Sequence, residues 1–344
     1  MVSIKDIAER AKVSIGTVDR VLHNRGRVSD ETKARVKRIV QKAGYRPNIH
    51  ARNLSLGRSF RFGIVIPRPS QDSSYWRIPV QGIEKARKEL EIYDVGVQFH
   101  TFDRYSERSF ERAFRSAIKE KPDGLLIAPV LPQIAARLVP TIPEEIPYVF
   151  FDSTIPDAKC LTFIGQDPFQ SGVLAARLML GALKEGDEAS IVKVVPGDFH
   201  INERIRGFIS TVAAAGYHPA KVYEVDSHGG DTAFAEVTER IMRENERLRG
   251  IFVSNAWTHA IARHVQADPR ARSIFVIGYD LVAGNIRCLE QGTIDFVISQ
   301  RPEMQGYEGI YALYEHVVLR GSVKRRIMLP IDILTKDNVK YYQD

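Results

Sequence analysis

From Phe62 onward, short apolar runs alternate with amphipathic helical stretches, and this alternation restricts the fold more than any other feature of the sequence. Such runs predict parallel strands that are buried on both faces, and the stretches between them, such as 80–90 and 107–119, predict the helices that cover a sheet. The sequence therefore predicts an α/β region of two similar doubly wound, Rossmann-like subdomains that share a cleft. The predicted strands are residues 62–66, 95–99, 124–128, 148–152, 190–195, 221–225, 250–254 and 273–278.

The composition is typical of a globular protein and not of a disordered chain, since 44% of the 344 residues are hydrophobic and 26% are charged. No apolar stretch reaches the roughly 20 residues that a membrane helix needs, and the first residues lack the features of a secretory signal, so we expect a cytoplasmic protein without a membrane partner. The spacing of Cys160 and Cys288 fits neither a disulfide scaffold nor a zinc finger. We therefore expect two ordinary thiols, no metal and no cofactor.

The charge is distributed unevenly along the chain. The net charge is +7, but residues 1–60 carry five Lys and nine Arg against three Asp and two Glu, so their own net charge is +9 and that of residues 61–344 is −2. A basic module on a nearly neutral body is typical of nucleic-acid binding, because cationic side chains release counterions from phosphates. Charge alone leaves open a solvated face or a lipid-binding patch.

Three short helices with a common core are predicted in this basic segment. Ser3 and Ser14 are placed as N-caps of the first two, and Ser29 caps a third that ends near Ala43, before Gly44. Two helices joined by a turn of a few residues predict a helix-turn-helix. Apolar residues recur at the helical period in all three: Ile4, Ile7, Ala8 and Ala11, then Val18, Val21 and Leu22, then Val36, Ile39, Val40 and Ala43.

The second helix of a helix-turn-helix lies in the DNA major groove, where its first residues contact base edges. In this sequence those residues are Ile15, Gly16, Thr17 and Arg20. Gly16 permits a close approach, Ile15 can contact a thymine methyl group, and Arg20 can bond guanine or a phosphate. The alternative is a small three-helix interaction domain.

Polar residues follow three of the predicted strands. Asp152, Asn255 and Asp280 stand where these strands end, and ligands of doubly wound sheets bind beyond the carboxyl ends. Carboxylates and amides bond hydroxyl groups, and the rings of Tyr75 and Trp76, in the loop after the first strand, can cover the apolar face of a sugar. The sequence thus predicts a polyol pocket, although a turn or helix-cap role explains each acid when it is taken alone.

The first sixty residues resemble the DNA-binding headpiece of the LacI/GalR family of bacterial transcription regulators, in residues 4–8, 11–14, 17–22 and 44–48. The resemblance implies a headpiece over 1–47 and a hinge helix or linker over 48–60, from which Leu54 enters the minor groove as a wedge. Packing of the linker by Leu54 is the alternative. The DNA-binding residues that it implies are Ser3, Lys5, Ser14, Ile15, Gly16, Thr17, Arg20, His23, Tyr45, Asn48, Ala51 and Leu54.

Two residues depart from the pattern of that family. Asp19 stands where serine is common, and His23 stands where asparagine is common. A carboxylate close to phosphates is unfavourable unless it is paired, so the preferred operator can differ from the one usual in the family.

Residues 61–344 resemble the type I periplasmic sugar-binding proteins, and the ribose-binding proteins in particular. Residues 202–208 are similar to the loop whose arginine, here Arg204, bonds sugar hydroxyls; an interdomain salt bridge is the alternative for this residue. Ser153 departs from the pattern, because an arginine stands there in ribose-binding proteins, and this implies a larger or different polyol. The effector-binding residues are then Tyr75, Trp76, Asp152, Arg204, Asn255, Asp280 and Gln300.

The same resemblance implies a first subdomain of about 61–165 and 301–328 and a second of about 166–300 and 329–344. Three crossovers near Gly165, Arg301 and Leu329 would act as a hinge. By analogy the protein is a homodimer, in which closure of the cleft changes the spacing of the two hinge helices and thereby the affinity for DNA.

These features predict a DNA-binding transcription regulator, usually a repressor in this family, that is controlled by a small carbohydrate or polyol. Two other classes stay open, namely an enzyme acting on carbohydrates and a cytoplasmic sugar-binding protein with a nonspecific basic arm. Against an enzyme, the sequence has no GxGxxG, HExxH, GxSxG or phosphate-loop motif, and His259 and His264 are five residues apart and leave one helical face. Against an exported sugar-binding protein, we find no signal segment.

Overall fold

The computed structural model describes residues 4–22, 28–43, 59–195, 199–218 and 220–342. The chain divides into two compact units, Met1–Arg58 and Ser59–Asp344. None of the described helices is long and apolar enough to cross a membrane.

The first unit contains the three helices that the sequence predicts. Their apolar stripes meet in a small core, in which Ile7, Ala11, Val18 and Val36 are fully buried. Helices this short are marginal in isolation, so the shared core rather than helix propensity holds them. The helices are α1 (Ile4–Ala11), α2 (Ile15–Leu22) and α3 (Asp30–Lys42).

The turn between α1 and α2 depends on a left-handed residue, since Lys12 has a φ of 53°. The Lys12 amide donates to the Glu9 carbonyl at 3.1 Å, and the Val13 amide donates to the Ala8 carbonyl at 3.0 Å. This pair of bonds is the Schellman ending of a helix, a position that usually carries glycine. The turn is therefore tight, at the cost of about 1–2 kcal/mol for a left-handed residue with a Cβ.

The second unit is built on two six-stranded sheets, which confirms the predicted fold class. Its strands in chain order are β1 (Phe60–Pro67), β2 (Val95–Phe102), β3 (Gly124–Ile127), β4 (Tyr148–Phe151), β5 (Thr162–Gly165), β6 (Glu188–Val195), β7 (Lys221–Asp226), β8 (Leu248–Val253), β9 (Phe275–Tyr279), β10 (Phe296–Ser299), β11 (Arg326–Met328) and β12 (Asp332–Leu334). The first sheet has the order β11-β5-β4-β3-β1-β2 and is parallel. The second has the order β12-β10-β9-β8-β6-β7, in which β12 runs antiparallel to β10.

Helices cover both sheets and carry the apolar faces that close the cores. On α5, for example, Phe110, Ala113, Phe114 and Ala117 are buried at successive turns. The helices are α4 (Arg77–Leu90), α5 (Glu107–Lys119), α6 (Pro132–Leu138), α7 (Pro168–Leu180), α8 (Phe199–Ala214), α9 (Gly230–Glu244), α10 (Thr258–Val265), α11 (Ala283–Glu290) and α12 (Pro302–Leu313).

Four strands were not predicted from the sequence: β5, β10, β11 and β12. β5 and β10 have four residues each, and β11 and β12 have three. Runs this short give too few positions for a period to emerge, and β11 begins with an exposed cation, Arg326. They exist because neighbouring strands supply their hydrogen-bond partners.

The chain passes between the two sheets three times, after β5, after β10 and after β11. The Gln166 side-chain amide lies at all three passages, because its Nε2 donates to the carbonyl oxygens of Ser299 at 3.1 Å and Pro330 at 2.9 Å. After the second passage, α12 packs on α4 of the first sheet. The two helices approach so closely that a Cβ at Gly82 would overlap the Glu303 carbonyl.

Candidate functional site

One cavity lies between the carboxyl ends of the two sheets, and all seven residues expected to bind a polyol line it. The lining also includes five residues that were not among the expected ones: Asp72, Arg104, His200, Ile201 and Ala256. The free space at its centre is about 20 Å³, which is room for roughly one water molecule. The cleft is thus closed on itself, and its polar side chains bond one another. The seven expected residues are Tyr75, Trp76, Asp152, Arg204, Asn255, Asp280 and Gln300.

Asp152 and Asp280 occupy equivalent positions in the two sheets. Each follows the last residue of a strand, β4 or β9, and each has a left-handed backbone, with φ of 66° and 72°. Each amide donates to the next strand, Asp152 to the Ile164 carbonyl at 3.2 Å and Asp280 to the Ile298 carbonyl at 2.9 Å. Asp tolerates this conformation better than most residues. The turn directs both carboxylates out of the sheets, and both are almost fully buried in the cavity wall.

Arg204, on α8, holds the second-sheet side of the cavity. Its guanidinium donates to the Ser254 carbonyl at 3.1 Å and to Gln300 Oε1 at 2.8 Å, and it lies over the Tyr279 ring at 4.0 Å. Gln300 Nε2 in turn donates to Asp280 Oδ1 at 3.0 Å. The Arg204 Nε is buried and has no hydrogen-bond partner among the described residues. A buried donor without an acceptor is costly, and a ligand oxygen would satisfy it.

Gln305, near the start of α12, links the two sides of the cavity. Its Oε1 accepts the Asp152 amide at 2.7 Å, and its Nε2 donates to the Gln300 carbonyl at 2.9 Å. The residue is fully buried. It therefore fixes the backbone at the ends of β4 and β10 together, although it lies more than 150 positions from Asp152 in the sequence.

The first-sheet side is organised around Asp72, in the turn after β1. Its carboxylate accepts from Trp76 Nε1 at 2.8 Å, from Arg104 Nε at 2.5 Å and from the Tyr105 hydroxyl at 2.8 Å. The turn is unusual, because Asp72, Ser73 and Ser74 all have left-handed φ, between 50° and 66°. The three bonds to the carboxylate stabilise a backbone that would otherwise be strained.

Arg104 was detectable from the sequence and was missed. It stands two residues after β2, so the rule that identified Asp152 and Asp280 applies to it. His200 carried a weaker signal, four residues before Arg204 on the same helix face. Its Nδ1 lies 3.9 Å from Asp152 Oδ2. Asp72 carried no such signal, because nothing in the sequence around it indicates a turn that directs its side chain into the cavity.

Burial shifts the ionisation of two cavity residues. It raises the pKa of Asp280 to about 7, against the opposing effects of the Arg204 charge and the Gln300 amide. It also raises the pKa of Tyr75 well above its usual value, aided by the charge of Asp152, to which the Tyr75 hydroxyl donates at 2.5 Å. Asp280 therefore changes charge near neutral pH, whereas Tyr75 stays a neutral donor.

Side chains also meet across the mouth of the cleft. The hydroxyl groups of Tyr105 and Ser227 are 2.7 Å apart, and the Tyr105 ring lies edge-on to His228 at 4.1 Å between centroids. Ser73 Oγ lies 3.3 Å from His259 Nε2. Tyr105 and Ser73 belong to loops of the first sheet. Ser227 and His228 follow β7 of the second sheet, and His259 lies at the start of α10 on the same side. These contacts hold the cleft closed.

In the first unit, the expected recognition residues lie on α2. The Ser14 hydroxyl accepts the Thr17 amide at 3.1 Å, which is an N-cap. Gly16 and Arg20 are exposed. Lys5 and Ile15 lie in α1 and α2, but their side chains are outside the described part of the structure. The remaining predicted DNA-binding residues also lie outside the described residues: Ser3, His23, Tyr45, Asn48, Ala51 and Leu54.

Two family comparisons cover most of the chain. Residues 3–48 match the bacterial regulatory proteins of the lacI family, and residues 62–321 match the periplasmic binding protein domain. The sucrose operon repressor of Klebsiella pneumoniae is 30% identical over 244 residues, which are 65% of this chain and 68% of that protein. The transcriptional regulator RegA of Clostridium acetobutylicum is 39% identical over 150 residues, 42% of this chain and only 43% of RegA.

Solved structures resemble the second unit. A putative LacI transcriptional regulator from Bacteroides fragilis is 30% identical, with a TM-score of 0.75, over 83% of this chain and all of that one. A solute-binding protein from Burkholderia graminis, solved with D-arabinose, has a TM-score of 0.74 at 20% identity and covers 83% of this chain and 99% of its own. At that identity the likeness concerns the fold alone.

Proposed function

Because the chain belongs to the lacI family of bacterial regulatory proteins, we propose that it is a transcription repressor whose affinity for operator DNA is set by a small carbohydrate or polyol in the cleft. The observation that carries the effector assignment is the cavity itself. Three carboxylates, two amides and two guanidinium groups line it beside Tyr75 and Trp76. Bacterial operators lie in the cytoplasm, so we place the protein there.

The chemistry of the cavity fits a neutral compound with several hydroxyl groups. Asp152 and Asp280 accept hydrogen bonds, the Arg204 Nε donates one, and Asn255 and Gln300 can do both. The rings of Tyr75 and Trp76 are buried at one wall, where they can pack on the apolar face of a sugar ring. A protein of the same fold binds such a compound, namely the Burkholderia graminis protein that was solved with D-arabinose. The effector must replace the side-chain bonds that now fill the cavity, so we expect it to bind while the cleft is open.

The exposed start of α2 is the proposed reader of bases. Among the described residues, and apart from the backbone of its own helix, the nearest atom to the place of a Cβ on Gly16 is the Ser14 hydroxyl at 3.9 Å, which leaves room for a close approach to a base pair. Arg20 is exposed on the same helix, where it can bond guanine or a phosphate. Two copies of this helix in a homodimer would read two half-sites.

Selection of duplexes from a random DNA pool tests this function, at about 0.15 M salt, where nonspecific binding is weakened. We expect an enriched, roughly palindromic site whose complex dissociates on addition of one member of a panel of neutral sugars and polyols. Arg20→Ala should abolish or relax the preference at one position of each half-site. Lack of enrichment, with or without sugars, would show that the basic unit is a nonspecific arm.

The second candidate is a protein that binds or converts a sugar without reading DNA, and the cavity by itself is compatible with it. The relatives favour the regulator, since RegA is a transcriptional regulator and the Klebsiella protein is an operon repressor. Incubation of the full chain with the effector found in the panel separates the two. Recovery of the unchanged sugar is expected, and its conversion would indicate an enzyme.

A further inference from the structure

A groove of about 510 Å³, separate from the central cavity, lies on one side of the second unit. We call it the flank groove. One wall is formed by the loop between β4 and β5, which includes Cys160, together with Arg325 and Arg326 at the start of β11. The other wall is formed by the first turns of α7 and α8, with Phe169 and Phe199. Its volume lies within the range usual for small-molecule sites.

Two of the three carboxylates that line the flank groove have partners in the protein. Asp167 caps α7, since its Oδ1 accepts the Gln170 amide at 2.9 Å. Glu203 forms an ion pair with Arg206. Asp157, at a left-handed turn with φ of 61°, is the third carboxylate of the lining.

The flank groove has two cationic residues besides Arg206, and these two have no counter-charge of their own. Arg325 and Arg326 are exposed, and neither forms an ion pair with any residue that the structure describes. Both are close enough to Cys160 to lower the pKa of its thiol, although burial raises that pKa by more. Two cationic residues without an ion pair among the described residues therefore line this wall of the groove, and an anion can supply their counter-charge.

Three aromatic rings contribute to the lining of the flank groove. Phe163, Phe169 and Phe199 all line it and are half-buried, so part of each ring faces the open space. The Arg206 guanidinium lies over the Phe169 ring, 4.6 Å from its centroid, so the Phe163 and Phe199 rings are the ones that a ligand can contact. Rings of this kind pack on the apolar face of a sugar or on another ring.

We propose that the flank groove is a second ligand site that takes a phosphomonoester of a small ring compound, such as a sugar phosphate. The phosphate, with a charge between about −1.5 and −2 at neutral pH, bonds the guanidinium groups of Arg325 and Arg326. The ring lies on the phenylalanines. Inorganic phosphate can bond only the two arginines, and an unphosphorylated sugar can pack only on the phenylalanines.

The flank groove joins the two halves of the unit. Cys160, Phe163 and the two arginines belong to the first sheet and its loops, whereas Phe199 and Arg206 belong to α8, which packs with the second sheet. A ligand that contacts both walls favours one angle between them. If the proposed function holds, this ligand therefore changes the response to the effector of the central cavity.

Cys160 provides a local test, because it lines the flank groove while the other thiol, Cys288, is buried and serves as the internal reference. The full chain is treated with N-ethylmaleimide, and labelling of each cysteine is followed by mass spectrometry with glucose 6-phosphate, glucose or inorganic phosphate present. We expect saturating glucose 6-phosphate to slow labelling of Cys160 at least about tenfold, while glucose leaves it unchanged and inorganic phosphate has a small effect. No protection at concentrations up to about 1 mM, where binding would already be weak, would overturn the proposal.

Variants separate the flank groove from the central cavity. Arg325→Ala combined with Arg326→Ala should weaken glucose 6-phosphate binding at least about tenfold, because a charge-assisted bond to each guanidinium is lost. The matched control, Lys184→Ala with Lys221→Ala, removes two exposed cations elsewhere and should bind normally. Asp280→Asn, in the central cavity, should leave the protection of Cys160 intact. If glucose 6-phosphate protected Cys160 equally well in the double arginine variant, or if glucose protected it as well as glucose 6-phosphate does, the ligand would bind at another site. If the protein did not bind an operator, only the proposed function would fail, and the protection of Cys160 would still test the flank groove.

Discussion

At the scale of single residues, the central cavity combines groups that are poorly hydrated and incompletely neutralised. The two terminal nitrogens of Arg204 each donate to a neutral oxygen, one of Ser254 and one of Gln300. Asp280 is left with an amide donor instead of a cation. A site with these properties is more stable with a polar ligand than without one.

Asp280 should make the protein less stable as the pH rises from about 4 to 7. Its pKa of about 7 in the folded protein exceeds the usual value of 3.8, so the folded state holds a proton that the unfolded state has released. The free energy of unfolding then falls across this interval by up to about 4 kcal/mol from this residue. In denaturant titrations, Asp280→Asn should remove that fall relative to the unchanged protein, and the exposed Asp337→Asn should not. If the free energy of unfolding changed with pH in the same way in the unchanged protein and in both variants, Asp280 would be ionised at neutral pH.

Arg204→Lys should weaken effector binding at least about tenfold, although the charge is kept, because an ammonium group cannot bond Ser254 and Gln300 and also offer a donor at the position of Nε. Operator binding without effector should change little, since the residue lies in the other compact unit. Calorimetry measures the affinity for the sugar, and gel-shift titration measures the affinity for the operator. A variant with normal sugar affinity would remove Arg204 from the proposed site.

At the scale of elements, the helix-turn-helix is built on a turn that its sequence does not favour. Lys12 adopts the left-handed conformation that glycine adopts at little cost, while the bonds of the Schellman ending keep α1 and α2 in place. The left-handed lysine lowers the stability of a unit whose core, among the described residues, contains few buried side chains.

Lys12→Gly should stabilise the first unit by about 0.5–1 kcal/mol, because the relief of the left-handed cost exceeds the added entropy of the unfolded chain. Lys12→Ala is the matched control, since alanine keeps the Cβ and should bring no gain. Thermal unfolding followed by circular dichroism at low temperature-scan rates resolves the change. Equal melting of both variants would indicate that the lysine side chain, and not its backbone, decides the effect.

At the scale of the whole molecule, the second unit has a second large groove, whose lining is partly apolar. A groove of about 900 Å³ lies between α4, α12 and the start of α11. Met304 and Tyr342 line it and are 39% and 42% exposed. The homodimer of the proposed function needs an interface, and we expect it at this groove, whose lining combines apolar residues such as Met304 with charged ones such as Lys85.

Met304→Glu should therefore shift the protein towards the monomer, because it places a charge in an apolar contact. Ile92→Glu is the control: Ile92 is 67% exposed but lies outside the groove, and its replacement should leave the dimer unchanged. Sedimentation velocity measures the mass of the particle. The affinity for the operator should fall when the dimer dissociates, since a monomer cannot bind two half-sites at once. A dimeric Met304→Glu protein would place the interface elsewhere.

Much of the site could be predicted from the sequence because the rule behind it is local. In parallel sheets the carboxyl ends of strands share one edge, so Asp152, Asn255 and Asp280 could be placed together without knowing the strand order. Arg104 obeys the same rule and was overlooked. Gln305 and Asp72 could not be found in this way, because Gln305 is an interior position of a helix and Asp72 points inward only through a run of left-handed residues.

The sequence alone determined the elements and their class, since apolar periodicity, caps and charge act over a few residues and are readable where they stand. It determined in this way the basic helical unit, the doubly wound sheets and the strand ends that bear acids. Only the tertiary structure decided which distant groups meet: the Asp72 carboxylate with Arg104, the Gln305 amide with Asp152, and the loops of Tyr105 and Ser227 across the cleft. Such pairs are set by packing between elements far apart in the chain, and packing leaves no mark in the local pattern of residues.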